Sequence, residues 1–313
     1  MVAAVDQTAD WGDQRVWRWR GHRCHWRVIG PPDGPSLLLL HGFGASSSHW
    51  RRTAPRLAAL GWQVYSLDML GFGASDQPAR PLNNAVWGHQ VCSFLKQVIQ
   101  RPAVLVGNSL GGLTALTAAV LQPTWVQAVV AAPLPDPALL NPVPRRQARW
   151  TRRWSRKLLR ISLRLLPLEW LIPLILRTPL LRKGLQGAYF MRIAEDQELL
   201  ALIGRPARRP TAARALRGMC LGMAIRPHAI TAPALLRTLQ RPLLLIWGRQ
   251  DRFVPLSIAE SIRKEHPGVA LEVLEECGHC PHDEAPDRFI DVLMPWLDRN
   301  LGDIRPAGDG QRR

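Results

Sequence analysis

Ser109, Asp251 and His279 stand far apart in the chain, yet each follows a run of apolar residues that should end as a strand. Gly107-Asn108-Ser109-Leu110-Gly111 has the spacing G-x-S-x-G, between the apolar run AVLVGN from Ala103 and a helix-forming stretch. A turn from strand into helix at that spacing is so tight that side chains two positions either side of the serine would collide, hence the glycines. It leaves the hydroxyl at a helix N-terminus, where the dipole favours developing negative charge. A serine hydroxyl attacks poorly until a base takes its proton, and the base needs an acid to orient it. In this arrangement the chain order is serine, acid, histidine. Asp251 follows PLLLIWG, and His279 follows VALEVL. Both should emerge at the carboxyl ends of strands, where open α/β sheets place their sites. Asp136, after WVQAVVAA, is the alternative acid. The stretch His41-Gly42-Phe43-Gly44 lets backbone N–H groups converge, and those of Phe43 and Leu110 are the expected oxyanion hole. His41 and Asp68 read as loop-ordering residues, and His49, His89, His228, His266 and His282 receive no role.

The stretch CGHCPHDE from Cys277 offers two other chemistries. CGHC spells a dithiol redox centre, and with His282 it holds the residue types of a zinc site. A dithiol centre should open a helix after an early strand of a small domain, whereas this stretch lies behind the last strand of a large one. Cys277 and Cys280 are therefore read as packing residues flanking a functional histidine. No metal and no cofactor is expected.

The elements that must carry these residues alternate. VWRWR from Val16 and CHWRVI from Cys24 form a hairpin pair, and SLLLL from Ser36 is a short, wholly apolar run, as in a buried parallel strand. Residues 46–60 suit a helix ended by Gly61, WQVYSL from Trp62 a strand, 84–100 a helix and 110–121 another. The alternation stops after the strand at 125–131 and resumes with PLLLIWG from Pro242. A helix at 256–265, the strand VALEVL from Val269 and a last helix over 286–301 follow. The fold class is α/β, a doubly wound and mostly parallel sheet with an inserted helical cap. Residues 1–133 and 242–313 form the core, and 134–241 the insertion. The tail from Gly302 reads as disordered.

Charge marks the same boundary. Of 41 Lys/Arg against 24 Asp/Glu, residues 134–241 hold 21 and 5, so nearly all of the +17 net charge lies in the insertion. Codon bias toward arginine would not confine the imbalance to one third of the chain. Over 145–166, helical spacing gathers Trp150, Trp154, Leu158, Ile161 and Leu165 in a stripe about 80° wide. Arg149, Arg153, Arg156, Arg160 and Arg164 lie beside it. Such a helix roofs the site, lies on an anionic membrane surface, or does both, since a cap that admits a lipidic substrate gains from touching the bilayer. The longest apolar run, about 165–176, is broken by Pro167, Glu169 and Pro173 and falls short of the roughly 20 residues a spanning helix needs. Five cysteines, an odd and sparse set, and an N-terminus without an apolar signal region lead to the expectation of a cytoplasmic protein. Nucleic acid is not an expected partner, because no recognition motif accompanies the basic patch.

HGFGASSSHW, DMLGFGASD, GNSLGG, WGRQDRFVP and GHCPHDEAP, in this order, resemble the α/β-hydrolase superfamily. GNSLGG with GHCPHDE-x-P resembles more closely the pheophytinase and chlorophyll dephytylase group of plants and cyanobacteria. That resemblance implies a serine hydrolase acting on the phytyl ester of a chlorin pigment, a lipophilic small-molecule ester, and a peripheral place on a thylakoid surface. A general carboxylesterase or lipase-like enzyme is the alternative. A non-catalytic pigment- or membrane-binding protein on the same fold is the alternative of another class. Haloalkane dehalogenases and epoxide hydrolases share the architecture but use an aspartate nucleophile, which Ser109 argues against.

Overall fold

The computed structural model describes residues 11–140, 162 and 165–302. Eight strands form one sheet in the order β1-β2-β4-β3-β5-β6-β7-β8. β1 (Asp13–Trp19) and β2 (His22–Ile29) are an antiparallel hairpin. Its two turn residues, Arg20 and Gly21, both have positive φ, at 50° and 82°, as a tight hairpin turn matching strand twist requires. β2 pairs antiparallel with β4 (Gln63–Leu67), and from there the sheet is parallel. It runs through β3 (Ser36–Leu40), β5 (Ala103–Gly107), β6 (Val126–Ala131), β7 (Leu243–Gly248) and β8 (Ala270–Leu274).

The apolar runs are continuous because both faces of the sheet are covered. Successive residues point to opposite faces, so each strand feeds two cores. Leu38, Leu40, Leu105, Val129 and Leu245 join one core with the helices Asn84–Phe94, Leu110–Leu121 and Leu256–Glu265. Leu37, Leu39, Val104, Val130 and Leu244 join the other with Leu57, Phe289, Leu293 and Trp296 of the helices Ala54–Ala59 and Pro286–Leu301. The carboxyl ends of the parallel strands open on one edge, and the loops that follow them carry the residues singled out above.

Two boundaries differ from expectation. Residues 46–60 form not one helix but a 3₁₀ turn, Ser47–Trp50, and then Ala54–Ala59. Pro55 lacks the N–H that would continue the first turn into the second, and the break leaves Arg51 buried. A one-turn helix, Pro281–Glu284, directly follows the CGHC stretch.

Between β6 and β7 the described residues contain helices and no strand: Pro137–Leu140, Leu168–Arg177, Leu180–Gln186, Gln197–Ala207, Ala212–Ala224 and Ala232–Leu236. Of the basic helix expected over 145–166, only Ser162, Leu165 and Leu166 are described. Its arginines, and the tail from 303, lie outside the described residues.

Candidate active site

Ser109 sits at φ 52° and ψ −117°, a conformation uncommon for a residue with a side chain, and the helix Leu110–Leu121 starts at the next residue. Close packing holds it there. A β-carbon on Gly111 would run into the carbonyls of Leu40 and His41, and one on Gly107 into the backbone of Gly111 and Gly112. Asn108 ties the turn to two other loops. Its backbone N–H donates to Leu40 O at 2.9 Å, and its Nδ2 donates to Ala132 O at 2.6 Å and to His279 O at 3.0 Å.

Asp251 and His279 are both buried, and the His279 Nδ1–H donates to Asp251 Oδ2 at 2.8 Å. The other carboxylate oxygen accepts the N–H groups of Phe253 and Val254 at 2.8 and 2.9 Å. The carboxylate therefore cannot swing away, and a proton on Nδ1 leaves Nε2 as the ring's free acceptor. Asp136 is engaged elsewhere. It is fully buried, ion-paired with Arg226, and accepts the N–H groups of Ala138 and Ala232 at 2.9 and 2.6 Å. The structure thus brings Asp251, and not Asp136, onto His279.

Leu110 opens its helix, where a backbone N–H has no acceptor within the helix. The Phe43 loop lies beside the serine, since a β-carbon on Gly42 would meet the Ser109 Cβ at 3.5 Å. His41 shapes that loop. Its Nδ1–H donates to Gly42 O at 2.8 Å while Nε2 accepts the Met69 N–H at 3.1 Å. Burial lowers its pKa, so the ring stays neutral. Asp68 accepts the N–H groups of Ser47 and Ala74 at 2.6 and 2.8 Å. An apolar cleft of about 220 Å³ opens next to Phe43, lined also by Phe72, Met219, Ile172, Leu176 and Leu181.

His49 and His282, given no role from sequence, form a buried network behind His279. One pattern of donors satisfies the contacts among its four members. His282 Nε2–H donates to His49 Nδ1 at 3.3 Å, and His49 Nε2–H to Tyr189 Oη at 2.8 Å. The Tyr189 hydroxyl then donates to Asp283 Oδ2 at 3.0 Å, and Arg51 pairs with the same carboxylate. Burial pushes His49 down to about 4 and His282 well below its usual value, as neutral rings require. Burial alone would raise the Asp283 carboxyl, but the Arg51 guanidinium beside it holds it below its ordinary value. The one hint in the sequence is that His49-Trp50-Arg51 and His282-Asp283-Glu284 each set a histidine beside charged residues.

Cys277 and Cys280 are free thiols in different surroundings. Cys277 packs in the core with Phe289 and Leu293, and Cys280 against Ala188, Tyr189 and Leu199. Burial pushes Cys277 up to about 12 and Cys280 well above its ordinary value, the opposite of a reactive thiolate. Among the described residues no group of three His, Cys, Asp or Glu side chains is disposed to hold a metal ion.

A mostly parallel sheet with a serine at a strand-to-helix elbow and an acid–histidine pair at the same edge defines a class of protein. Residues 37–292 match the model of the alpha/beta hydrolase family, and the chain belongs to that family. It is 26% identical over 274 residues to a pimeloyl-[acyl-carrier protein] methyl ester esterase of Vibrio vulnificus, a match covering 87% of this chain and 97% of that one. It is 25% identical over 315 residues to the chloroplastic pheophytinase of Arabidopsis thaliana, covering 88% and 64%. A bacterial membrane phospholipase A of solved structure superposes with a TM-score of 0.71 at 24% identity, over 92% of this chain and 86% of that one, a likeness of fold. The likeness to pheophytinase is thus one among several of similar strength.

The burial pattern makes the thiols a test of the site's packing. Cys24, Cys92, Cys277 and Cys280 are buried and Cys220 is exposed. Iodoacetamide should add one group to the native chain, at Cys220, and five after denaturation, read by peptide mass spectrometry. Rapid native labelling of Cys277 or Cys280 would contradict this packing around His279.

Proposed function

We propose that this chain hydrolyses a carboxylic ester through an acyl-enzyme. The observation that carries the reading is the Asp251–His279 hydrogen bond, held beside the Ser109 elbow by the Asn108 side chain. His279 Nε2 takes the Ser109 proton as the oxygen attacks the acyl carbon, and it returns that proton to the leaving alcohol. Water then repeats the sequence on the acyl-enzyme, restoring Ser109. Asp251 keeps the ring in the tautomer that leaves Nε2 free and stabilises the imidazolium as it forms. The N–H groups of Phe43 and Leu110 hold the oxyanion. No step calls for a cofactor.

In this reading residues 134–241 are a cap, and the substrate is a lipophilic ester whose chain lies in the cleft beside Phe43. The phytyl ester of a chlorophyll or pheophytin is the specific candidate, supported by the apolar lining and by the pheophytinase among the relatives. A general carboxylesterase with the same machinery is favoured by the methyl ester esterase at similar identity.

The helix Leu168–Arg177 supports a peripheral place on an anionic membrane. Ile172, Ile175 and Leu176 line the cleft, while Trp170, Leu171 and Leu174 are exposed, Trp170 by 82%. Arg177, Arg182 and Lys183 follow closely in sequence. No helix among the described residues is long and apolar enough to cross a membrane. A helix with one face on the substrate and one on the bilayer would pass a lipidic ester between them.

Two experiments test the reading. With pigment esters and short acyl esters as substrates, Ser109→Ala and His279→Ala should each lower turnover by about 10⁴-fold or more while the chain stays folded. Asp251→Asn should cost nearly as much, and Asp136→Asn should act on stability instead. Near-parent turnover in His279→Ala, or a larger catalytic loss in Asp136→Asn, would reject the assignment. Cosedimentation with liposomes should show binding to anionic vesicles that weakens as salt rises and falls in Trp170→Ala/Leu174→Ala. Equal binding to neutral vesicles, or no change in the variant, would leave the helix as a roof alone.

A further inference from the structure

The stretch Gly278 to Glu284 holds polar groups that the proposed reaction does not use. His279 is held through its backbone as well as its ring, because its N–H donates to Ala188 O of the 134–241 segment at 2.7 Å. Glu284 makes the complementary contact. One carboxylate oxygen accepts the Gly278 N–H at 2.7 Å, and the other accepts the Phe190 N–H at 2.9 Å. The two backbones are so close that a β-carbon on Gly278 would sit 2.6 Å from Ala188 O and 2.9 Å from Phe190 N.

The piece that docks here is preformed. Gln186 closes the loop on itself, donating to Met191 O at 2.8 Å and accepting the Ile193 N–H at 3.1 Å. Between the two clamp points Tyr189 is buried and enters the His49–Asp283 network. Arg51, paired with Asp283, also pairs with Asp196 and Glu198, at the start of the helix Gln197–Ala207. The 188–198 stretch is therefore bound to the histidine loop and to the loop after β3, and the Glu284 carboxylate bonds the backbone of both the stretch and the histidine loop.

We infer that Glu284 is a positioning residue for His279: it clamps the 188–190 backbone onto the 278–279 backbone, so that docking of the inserted segment sets where the proposed base stands. The inference rests on the ester-hydrolase reading for its kinetic consequence, though not for the clamp itself. A carboxylate suits the position because the two backbone groups it joins are both N–H donors and it offers two acceptor oxygens. An amide offers one acceptor oxygen and presents N–H groups to the second donor. When the clamp opens, the Asp251 bond still fixes the ring tautomer, but the His279 backbone loses a partner and the ring's approach to Ser109 loosens. A base displaced by about 1 Å costs on the order of 10²-fold in rate.

The test uses the full-length chain with Glu284→Gln, and Tyr189→Phe as the second variant should the first not fold. Kinetics are taken at a temperature where circular dichroism shows the variant fully folded. The expected result is a fall in kcat of about tenfold or more with KM within twofold of the parent. A residue that only supports the fold would lower the melting temperature and leave kcat per folded chain unchanged. Hydrogen exchange gives the second readout, independent of any substrate. Peptides covering 186–193 and 277–280 should lose protection together in the variant. Parent-like kcat per folded chain overturns the positioning role, and faster exchange in 186–193 with 277–280 still protected overturns the coupling. If the parent hydrolyses no ester tested, the exchange experiment still decides the clamp, so the two failures are distinguishable.

Discussion

The site depends on one strained turn. Ser109 is held at positive φ, a conformation that costs on the order of 1–3 kcal/mol for a residue with a side chain and persists only where its surroundings enforce it. Here the enforcement is contact between backbones. The helix after the serine lies against the carbonyls of β3 and the end of β6, with glycine at each point of approach. The sheet must be parallel and central at this point for that contact to exist, and β5 lies between β3 and β6. The loop after β3 and the histidine loop are then drawn to the same place, one by the space Gly42 leaves and the other by the Asn108 amide.

That arrangement explains what could be read from sequence. The elbow was legible because its constraint is local, five residues between an apolar run and a helix. The parallel core was legible because strands covered on both faces are apolar throughout, as SLLLL is. The choice between Asp251 and Asp136 was not settled by position, since both follow strands. Arg226 and the Ala232 N–H occupy Asp136, and both belong to a segment about ninety residues away in sequence. The His49–His282 contact spans 233 residues and leaves no periodicity, so the polar residue types in each stretch did not say that the two meet. The break before Pro55 fell inside a stretch expected to be one helix, and the intervening Arg51 found its purpose only when Asp283 and Asp196 came alongside it.

Charge and apolar surface describe the other half of the molecule. The sheet and its flanking helices are nearly neutral, and the excess positive charge lies between β6 and β7. The same segment supplies most of the cleft lining and, at Ala188, a direct hold on His279. The part of the chain proposed to meet an anionic surface thus also touches the proposed base. The likeness read from GNSLGG and GHCPHDE-x-P points to pigment esters, while relatives of similar identity include a methyl ester esterase. The family is fixed by the shared fold and sequence match, and the ester would be chosen by the cleft.

The central claim is that Ser109 is a nucleophile activated by His279. The most direct measurement is reaction of the folded chain with a fluorophosphonate, followed by peptide mass spectrometry. The account predicts one adduct, on Ser109, absent in Ser109→Ala and formed far more slowly in His279→Ala. No adduct on the folded chain, or one on another residue, would contradict it.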